Sequence, residues 1–389
     1  MPRLAFYMPG LAMGGAERVT IDLRHRLSAL GYPTSLIAHG STVSPAIRRM
    51  PGAEDAQVLG LGGMTDLAAW PSAYSAIKSA DADIIFIVNP SQAIWAVILR
   101  AFRATRAKIV LIFHATDLRP EGEVRLPLFI LGARFVDVMV FVSRNQMAYW
   151  LGRKMRSRRD ITIVNGVDLQ RFKNAPETNA QAKLKLGITP DAFVAGLLAT
   201  FRPEKNHIEL VEAAARMRDA GTPITVLFVG DGATRPLVQA RVEELKLEDS
   251  VIFSGEFDDV GPIIAAFDVG VLCSTEIETF SMAALELLAS GVPMVMTNIG
   301  GASEIVEPNV NGFLYEKGDT DALVRHLTTL SDATTCAAFR SRARPSVERY
   351  SIEAMMEHYV RLIQDLAASR RTSSLQPSAP RHRLDTPLT

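Results

Sequence analysis

The sequence predicts an α/β protein built from two doubly wound, Rossmann-like domains that face each other across a cleft. Its 389 residues are 48% hydrophobic, which suits two cores of roughly 150 residues each better than one. Short apolar runs near 3–8, 34–38, 84–88, 108–113, 137–142 and 161–164 alternate with helical patterns such as 17–30 and 91–105. That is the grammar of βαβ units in a parallel sheet. The alternation pauses at Asn165-Gly166-Val167-Asp168 and in a polar stretch from Lys173 to Gln181. It restarts at 193–199, 224–229, 251–253, 269–272 and 292–296. We therefore divide the chain into domains 1–168 and 169–345. A C-terminal helix follows at 346–368, placed to pack back on the first domain. The Ser/Pro/Arg-rich tail 369–389 lacks apolar periodicity and is expected to be disordered.

Composition excludes several function classes. Forty-two Lys/Arg balance forty-two Asp/Glu, so the whole molecule has no electrostatic pull toward nucleic acid. The halves differ: residues 1–180 hold 22 basic against 14 acidic side chains, and residues 181–389 hold 20 against 28. A basic front half suits an anionic surface or acceptor, and opposite charges also favour association of the halves. Two cysteines, Cys273 and Cys336, make neither a disulfide framework nor a zinc site and fit a reduced cytoplasm. The N-terminal apolar run stops at Pro9-Gly10, too short for a signal peptide, and reads as a buried first strand. No run approaches the roughly 20 apolar residues of a membrane span, so any membrane contact is expected to be peripheral.

In open parallel sheets, ligands bind beyond the carboxyl ends of the strands, so three loops carry the argument. The first, Pro9 to Ala16, leads into a helix near Glu17, and Gly14-Gly15 would let backbone N–H groups approach an anion. It matches neither G-x-G-x-x-G nor the P-loop and reads equally well as a tight structural turn. The second is Thr200-Phe201-Arg202-Pro203-Glu204-Lys205-Asn206. Arg202 and Lys205 at a strand end can converge on phosphate oxygens, with solvated surface charge as the alternative. The third runs from Ser274 to Pro293. Glu278 sits in the loop and Glu286 two turns into a helix starting near Ser281, so the N–H groups of Phe280, Ser281 and Met282 lie at a helix N-terminus able to hold a phosphate. Carboxylates accept from vicinal hydroxyls, and Glu286 lies among Leu285, Leu287, Leu288 and Ala289, poor company for a surface residue.

These motifs together resemble the retaining glycosyltransferases of family 4. The matching pieces are Gly14-Gly15-Ala16-Glu17-Arg18-Val19, Val164-Asn165-Gly166-Val167-Asp168 with Phe172, Arg202-Pro203-Glu204-Lys205, Glu278 through Pro293, Gly300-Gly301-Ala302-Ser303-Glu304-Ile305-Val306, and Asn311-Gly312-Phe313-Leu314. The resemblance implies the two-domain GT-B fold and a nucleotide-sugar donor. It implies that Arg202 and Lys205 hold the donor diphosphate with the backbone at Gly14-Gly15 and at Phe280, Ser281 and Met282. It further implies that Glu286 grips the ribose, that Glu278 contacts the transferred sugar, and that His114 covers that sugar from the front domain. Thr279 stands where many relatives carry glycine, which leaves the sugar open.

No metal or cofactor is implied. Asp81-Ala82-Asp83 has the D-x-D spacing of metal-dependent glycosyltransferases but precedes a strand, at the wrong end. The expected reaction is retaining transfer to a glycan or lipid-linked acceptor. The alternatives are a nucleotide-sugar epimerase on the same scaffold and a non-catalytic binding module. A cytoplasmic protein able to sit on an anionic membrane surface is expected from the apolar stretch 93–106 with its cations and from the basic cluster 153–159.

Overall fold

The computed structural model describes residues 1–12, 14–62, 66–88, 90–114, 123–172, 178–276 and 278–374. Two parallel sheets organise them. The first contains β1 (Leu4–Met8), β2 (Thr34–Ala38), β3 (Gln57–Val58), β4 (Ile84–Ile87), β5 (Lys108–Phe113), β6 (Val138–Phe141) and β7 (Asp160–Thr162). Its spatial order is β3-β2-β1-β4-β5-β6-β7. The second contains β8 (Val194–Leu198), β9 (Thr225–Val229), β10 (Val251–Phe253), β11 (Val269–Leu272), β12 (Met294–Thr297) and β13 (Gly312–Tyr315), in the order β10-β9-β8-β11-β12-β13. Eleven of these strands were anticipated from apolar runs. The short β3, whose two residues are exposed, and β13, which opens on glycine, carry no such signal.

Strands such as β1 and β4 are buried at every position, as continuous apolar runs must be when helices cover both faces of a sheet. Strand order reverses between β1 and β4 in the first sheet and between β8 and β11 in the second. The loops after these strands therefore splay apart and leave a crevice at each carboxyl edge.

The chain crosses between the sheets twice, and the crossings are bonded to each other. Val167 N–H donates to Tyr350 O, and Ile352 N–H donates to Val167 O, both at 2.9 Å. Gly166 packs against Ile352 with no room for a Cβ. The Ile352–Ser374 helix then lies on the first sheet: Met355, Tyr359 and Ile363 join the core that contains Phe6 and Phe86, and the Tyr359 ring meets Phe86 edge-on at 6.1 Å. This helix runs six residues beyond the expected limit at 368, because nothing between Ala367 and Ser374 breaks a helix. The expected disorder of 375–389 falls outside the described residues.

The structure corrects two surface readings. The Pro90–Ala101 helix buries Ala93, Ile94, Trp95, Ala96 and Leu99 against the sheet, which leaves Ala101, Phe102, Arg103 and Arg106 as the exposed part of 93–106. In the cluster 153–159, Arg153 pairs with Glu123, Arg158 with Asp137 and Arg159 with Asp365. Those arginines serve the fold as well as the surface.

His207 gives a test of the second domain's core. Its ring is 2% exposed and stacks on Phe201 at 4.0 Å, and burial pushes its pKa down to about 4 from 6.5. The unfolded chain thus binds a proton that the folded chain refuses. The resulting stability is complete above about pH 6.5 and is lost as pH falls toward 4. Denaturant titrations at pH 7 and 4.5 should show the wild type losing on the order of 2 kcal/mol more than His207→Leu. Parallel pH dependences for the two proteins would remove His207 as the cause.

Candidate active site

A cleft of about 650 Å³ opens where the two carboxyl edges meet. The Gly15–Ala29 helix contributes Gly15 and Arg18 to it, the crossing contributes Gly166 to Asp168, and the second sheet contributes Leu198 at the end of β8 with Ala199 and Thr200 after it. Met282, Ala283 and Glu286 line it from the Met282–Ala289 helix. Gly15, Met282 and Glu286 are thus predicted site residues that form its wall.

Ser281 caps that helix, its hydroxyl accepting from Ala284 N–H at 3.3 Å. The N–H groups of the first turn beyond it have no helical acceptor and give the cleft a positive end. Phe280 contributes backbone rather than side chain: its buried ring meets Tyr350 edge-on at 5.3 Å and its carbonyl accepts from Asn165 Nδ2 at 3.5 Å. Glu286 is half-buried, and burial pushes its carboxyl pKa up, opposed by the nearby charges of Arg18 and Arg171. These two arginines were not singled out from the sequence. Arg18 stands three residues after Gly15, on the helix face turned to the cleft, so helical spacing was a signal that could have found it.

Lys205 and Glu278 form a second group. The Lys205 ammonium lies 2.6 Å from Glu278 Oε2, the Ser274 hydroxyl donates to the same oxygen at 2.8 Å, and the Glu278 side chain is 8% exposed. The sequence assigned these residues to different parts of a donor, yet without a ligand they neutralise each other. The loop holding Glu278 is fixed from behind by Gly300 and Gly301. Gly301 N–H donates to Glu278 O at 3.0 Å, Gly300 has φ +55°, and neither glycine has room for a Cβ against that backbone.

Arg202 is half-exposed, with the Glu204 carboxylate 4.0 Å away. Its charge also reaches Glu17 in the front domain, whose carboxyl is pushed up by burial and drawn down by its own backbone N–H and by Arg202. The Glu17 carboxylate lies over Gly14, at the N-terminus expected to receive phosphate. His114, after β5, is half-buried; its Nε2 is shielded from solvent and meets no partner among the described residues, and burial pushes its pKa down to about 4. The ring is neutral at physiological pH, available as a hydrogen-bonding group rather than a cation.

Asp81 and Asp83 pair with Arg3 at the amino edge of the first sheet, away from the cleft. Among the described residues no group of three or more His, Cys, Asp or Glu is arranged to hold a metal ion, and no helix is long and apolar enough to cross a membrane.

Comparison with known proteins matches both halves of the chain. The family model described as Glycosyltransferase Family 4 aligns with residues 13–171, and that of the Glycosyl transferases group 1 with residues 179–345. The N-acetyl-alpha-D-glucosaminyl L-malate synthase of Bacillus anthracis is 29% identical over 279 residues, covering 70% of this chain and 72% of that protein. The UDP-Gal:alpha-D-GlcNAc-diphosphoundecaprenol alpha-1,3-galactosyltransferase of Escherichia coli is 30% identical over 173 residues, 44% of each chain, so this match spans less than half of that relative. Among solved structures, Anabaena Alr3699/HepE in complex with UDP-glucose superposes with a TM-score of 0.81 at 22% identity, over 94% of this chain and all of that one; at that identity the likeness speaks for the fold. With two facing parallel sheets, a cleft at their carboxyl edges and both family models matched in order, the chain has the GT-B fold and belongs to the group 1, family 4 glycosyltransferases.

Proposed function

We propose that this glycosyltransferase moves a hexosyl or N-acetylhexosaminyl group from a nucleoside-diphosphate sugar to a hydroxyl of a lipid-linked or polysaccharide-precursor glycan. Anomeric configuration is retained, and neither metal nor cofactor takes part. The observation that carries this reading is the single loop and helix that set Met282 and Glu286 on the cleft wall that Gly15 also lines, with the Ser281 cap at the helix start and the Glu278–Lys205 pair in the loop just before it. Anion-binding N–H groups thus stand between two carboxylates suited to hydroxyls.

In this reading the diphosphate lies against the N–H groups after Phe280 and at Gly14-Gly15, displacing the Glu17 carboxylate. Breaking the sugar–phosphate bond builds charge on the departing diphosphate. Arg202 and Lys205 meet that charge more strongly in the transition state than in the ground state, with Lys205 leaving Glu278 to do so. Glu278, released, accepts from hydroxyls of the transferred sugar, Glu286 accepts from the ribose, and neutral His114 hydrogen-bonds the sugar from the front domain. The acceptor hydroxyl approaches from the face the diphosphate leaves, and a diphosphate oxygen takes its proton.

An anionic membrane surface is part of the proposal. The Escherichia coli relative is named for a diphosphoundecaprenol acceptor. In this chain Val124, Leu128, Leu131 and Phe135, spaced four, three and four apart, are 83%, 44%, 53% and 48% exposed along and beside the Leu126–Ala133 helix. Arg125 and Arg134 are exposed on the same segment, and the neighbouring Pro90–Ala101 helix leads to exposed Phe102, Arg103 and Arg106. A cation near an anionic leaflet gains on the order of 1 kcal/mol, and exposed apolar side chains add partial insertion.

Three outcomes test these statements. Transfer should persist in excess EDTA, while Arg202→Ala should lower it roughly a hundred- to a thousandfold, the loss typical of one transition-state charge partner; full activity in the variant, or complete dependence on Mg²⁺ or Mn²⁺, would sink the reading. In calorimetry with the free nucleoside diphosphate, Glu286→Ala should bind more weakly because the ribose is still present. Glu278→Ala should bind as well as the wild type or better, since Lys205 loses its competing carboxylate, and the opposite pattern would exchange their roles. Flotation with liposomes should rise with anionic lipid, weaken with salt and drop for Leu128→Gln/Leu131→Gln and for Arg125→Ser/Arg134→Ser, whereas Arg158→Ser/Arg159→Ser should change it little. Equal flotation on neutral and anionic vesicles would refute the membrane surface.

A further inference from the structure

The sharpest contact between the domains outside the crossings involves Glu304, which sequence reading noted only within its motif. Its carboxylate accepts from the N–H groups of Arg144 (Oε2, 3.0 Å) and Asn145 (Oε1, 2.8 Å), the first two residues of the front-domain helix Arg144–Gly152. The next donor of that helix, Gln146 N–H, goes to Ser143 Oγ, and Met147 N–H goes to Ser143 O. The Met147 bond is the first of the helix itself, so the three free donors of its first turn, Arg144, Asn145 and Gln146, are all satisfied, two of them by a charge from the other domain. The Asn145 amide reinforces the junction, donating to Gly300 O at 2.9 Å and to Ser303 Oγ at 3.1 Å.

What lies behind this contact gives it consequence. Gly300, which Asn145 grips, packs on the backbone of Glu278, and the Gly301 N–H holds the Glu278 carbonyl. The Glu304 carbonyl in turn accepts from Tyr350, on the second crossing, whose ring covers Phe280. The front-domain helix, the loop carrying Glu278 and the return crossing are therefore tied to one short segment, Gly300 to Glu304.

We propose that Glu304 and Asn145 are positioning residues for transfer: the borrowed helix cap fixes the front domain, and with it His114 and the acceptor side, over the Glu278 loop. The inference rests on the reading of Glu278 as the contact to the transferred sugar. The closing of one domain upon the other is set by this cap, because a carboxylate bonded to two N–H groups at a helix N-terminus cannot shift by an ångström without losing both. Misplacement on that scale can cost about a hundredfold in rate.

The test uses the full chain with one spin label on each domain, at Arg106→Cys and Thr328→Cys, both exposed positions. Glu304→Ala should broaden and lengthen the interdomain distance distribution while leaving the thermal midpoint within a few degrees of the wild type. Its kcat for transfer should fall about ten- to a hundredfold with donor KM changed less than about threefold. Glu304→Gln, which keeps one acceptor, should recover part of both. Asn145→Ala should shift the distances in the same direction, by less than additively in the double variant. The distance measurement needs no substrate, so it stands even if the proposed transfer reaction is not found. An unchanged distance distribution in Glu304→Ala, or a loss of kcat explained by equal losses of donor affinity and thermal stability, would overturn the proposal.

Discussion

The two domains work on one cleft because the chain's two crossings are bonded to each other. Val167 exchanges backbone hydrogen bonds with Tyr350 and Ile352, a short parallel pairing in a segment that belongs to neither sheet. Gly166 admits the Ile352 backbone where any side chain would separate the strands. This pairing joins the two crossings directly, and the Glu304 and Asn145 contacts tie the domains at a second place. The C-terminal helix secures it, since Met355, Tyr359 and Ile363 sit in the first domain's core while their segment emerges from the second. Unfolding either partner of that contact exposes apolar surface, so the return crossing is held by hydrophobic burial as well as by hydrogen bonds.

Around the crossings, charges near the cleft have partners or opposite charges within the protein. Lys205 is paired with Glu278, Glu17 covers the first helix N-terminus with Arg202 near it, and Glu286 faces Arg18 and Arg171. Leaving such groups buried and unpaired would cost several kcal/mol each. A ligand carrying both negative phosphate and hydroxyl groups can replace these internal partners like for like: phosphate for the carboxylates beside Lys205 and Arg202, and hydroxyls for the ammonium beside Glu278. The raised carboxyl of Glu286 comes from its partial burial in the cleft wall, which Arg18 and Arg171 oppose. In the proposed function, exchange of these partners rather than filling of a void governs how a donor is held.

The surface shows a parallel division of labour. A stretch such as 93–106 looks amphipathic in one dimension, but its apolar side belongs to the sheet, and its exposed part is confined to the end, at Ala101, Phe102, Arg103 and Arg106. The apolar stripe from Val124 to Phe135 is exposed because the Leu126–Ala133 helix packs through Phe129 and Ala133 on its other face. The first stretch was singled out for its hydrophobicity and the second passed over, although it is the second that presents its apolar side chains outward.

The sequence by itself determined the βαβ alternation, the pause between two such series, and the three loops with their glycines, cations and carboxylates. These features are written in local periodicity and in residue types that few other roles require, and burial of continuous apolar strands leaves little choice of fold class. It did not determine which of those residues meet. The Lys205–Glu278 pair joins residues 73 apart, the charge of Arg18 acts on Glu286 within the same cleft, and Glu304 caps a helix 160 residues earlier. The first depends on β8 and β11 lying side by side in one sheet, the other two on the angle between the sheets and on the path of two crossings. Such contacts are decided by tertiary structure because a side chain's charge is local information, while the partner that neutralises it is chosen by whichever surfaces the packed domains bring within about 3 Å.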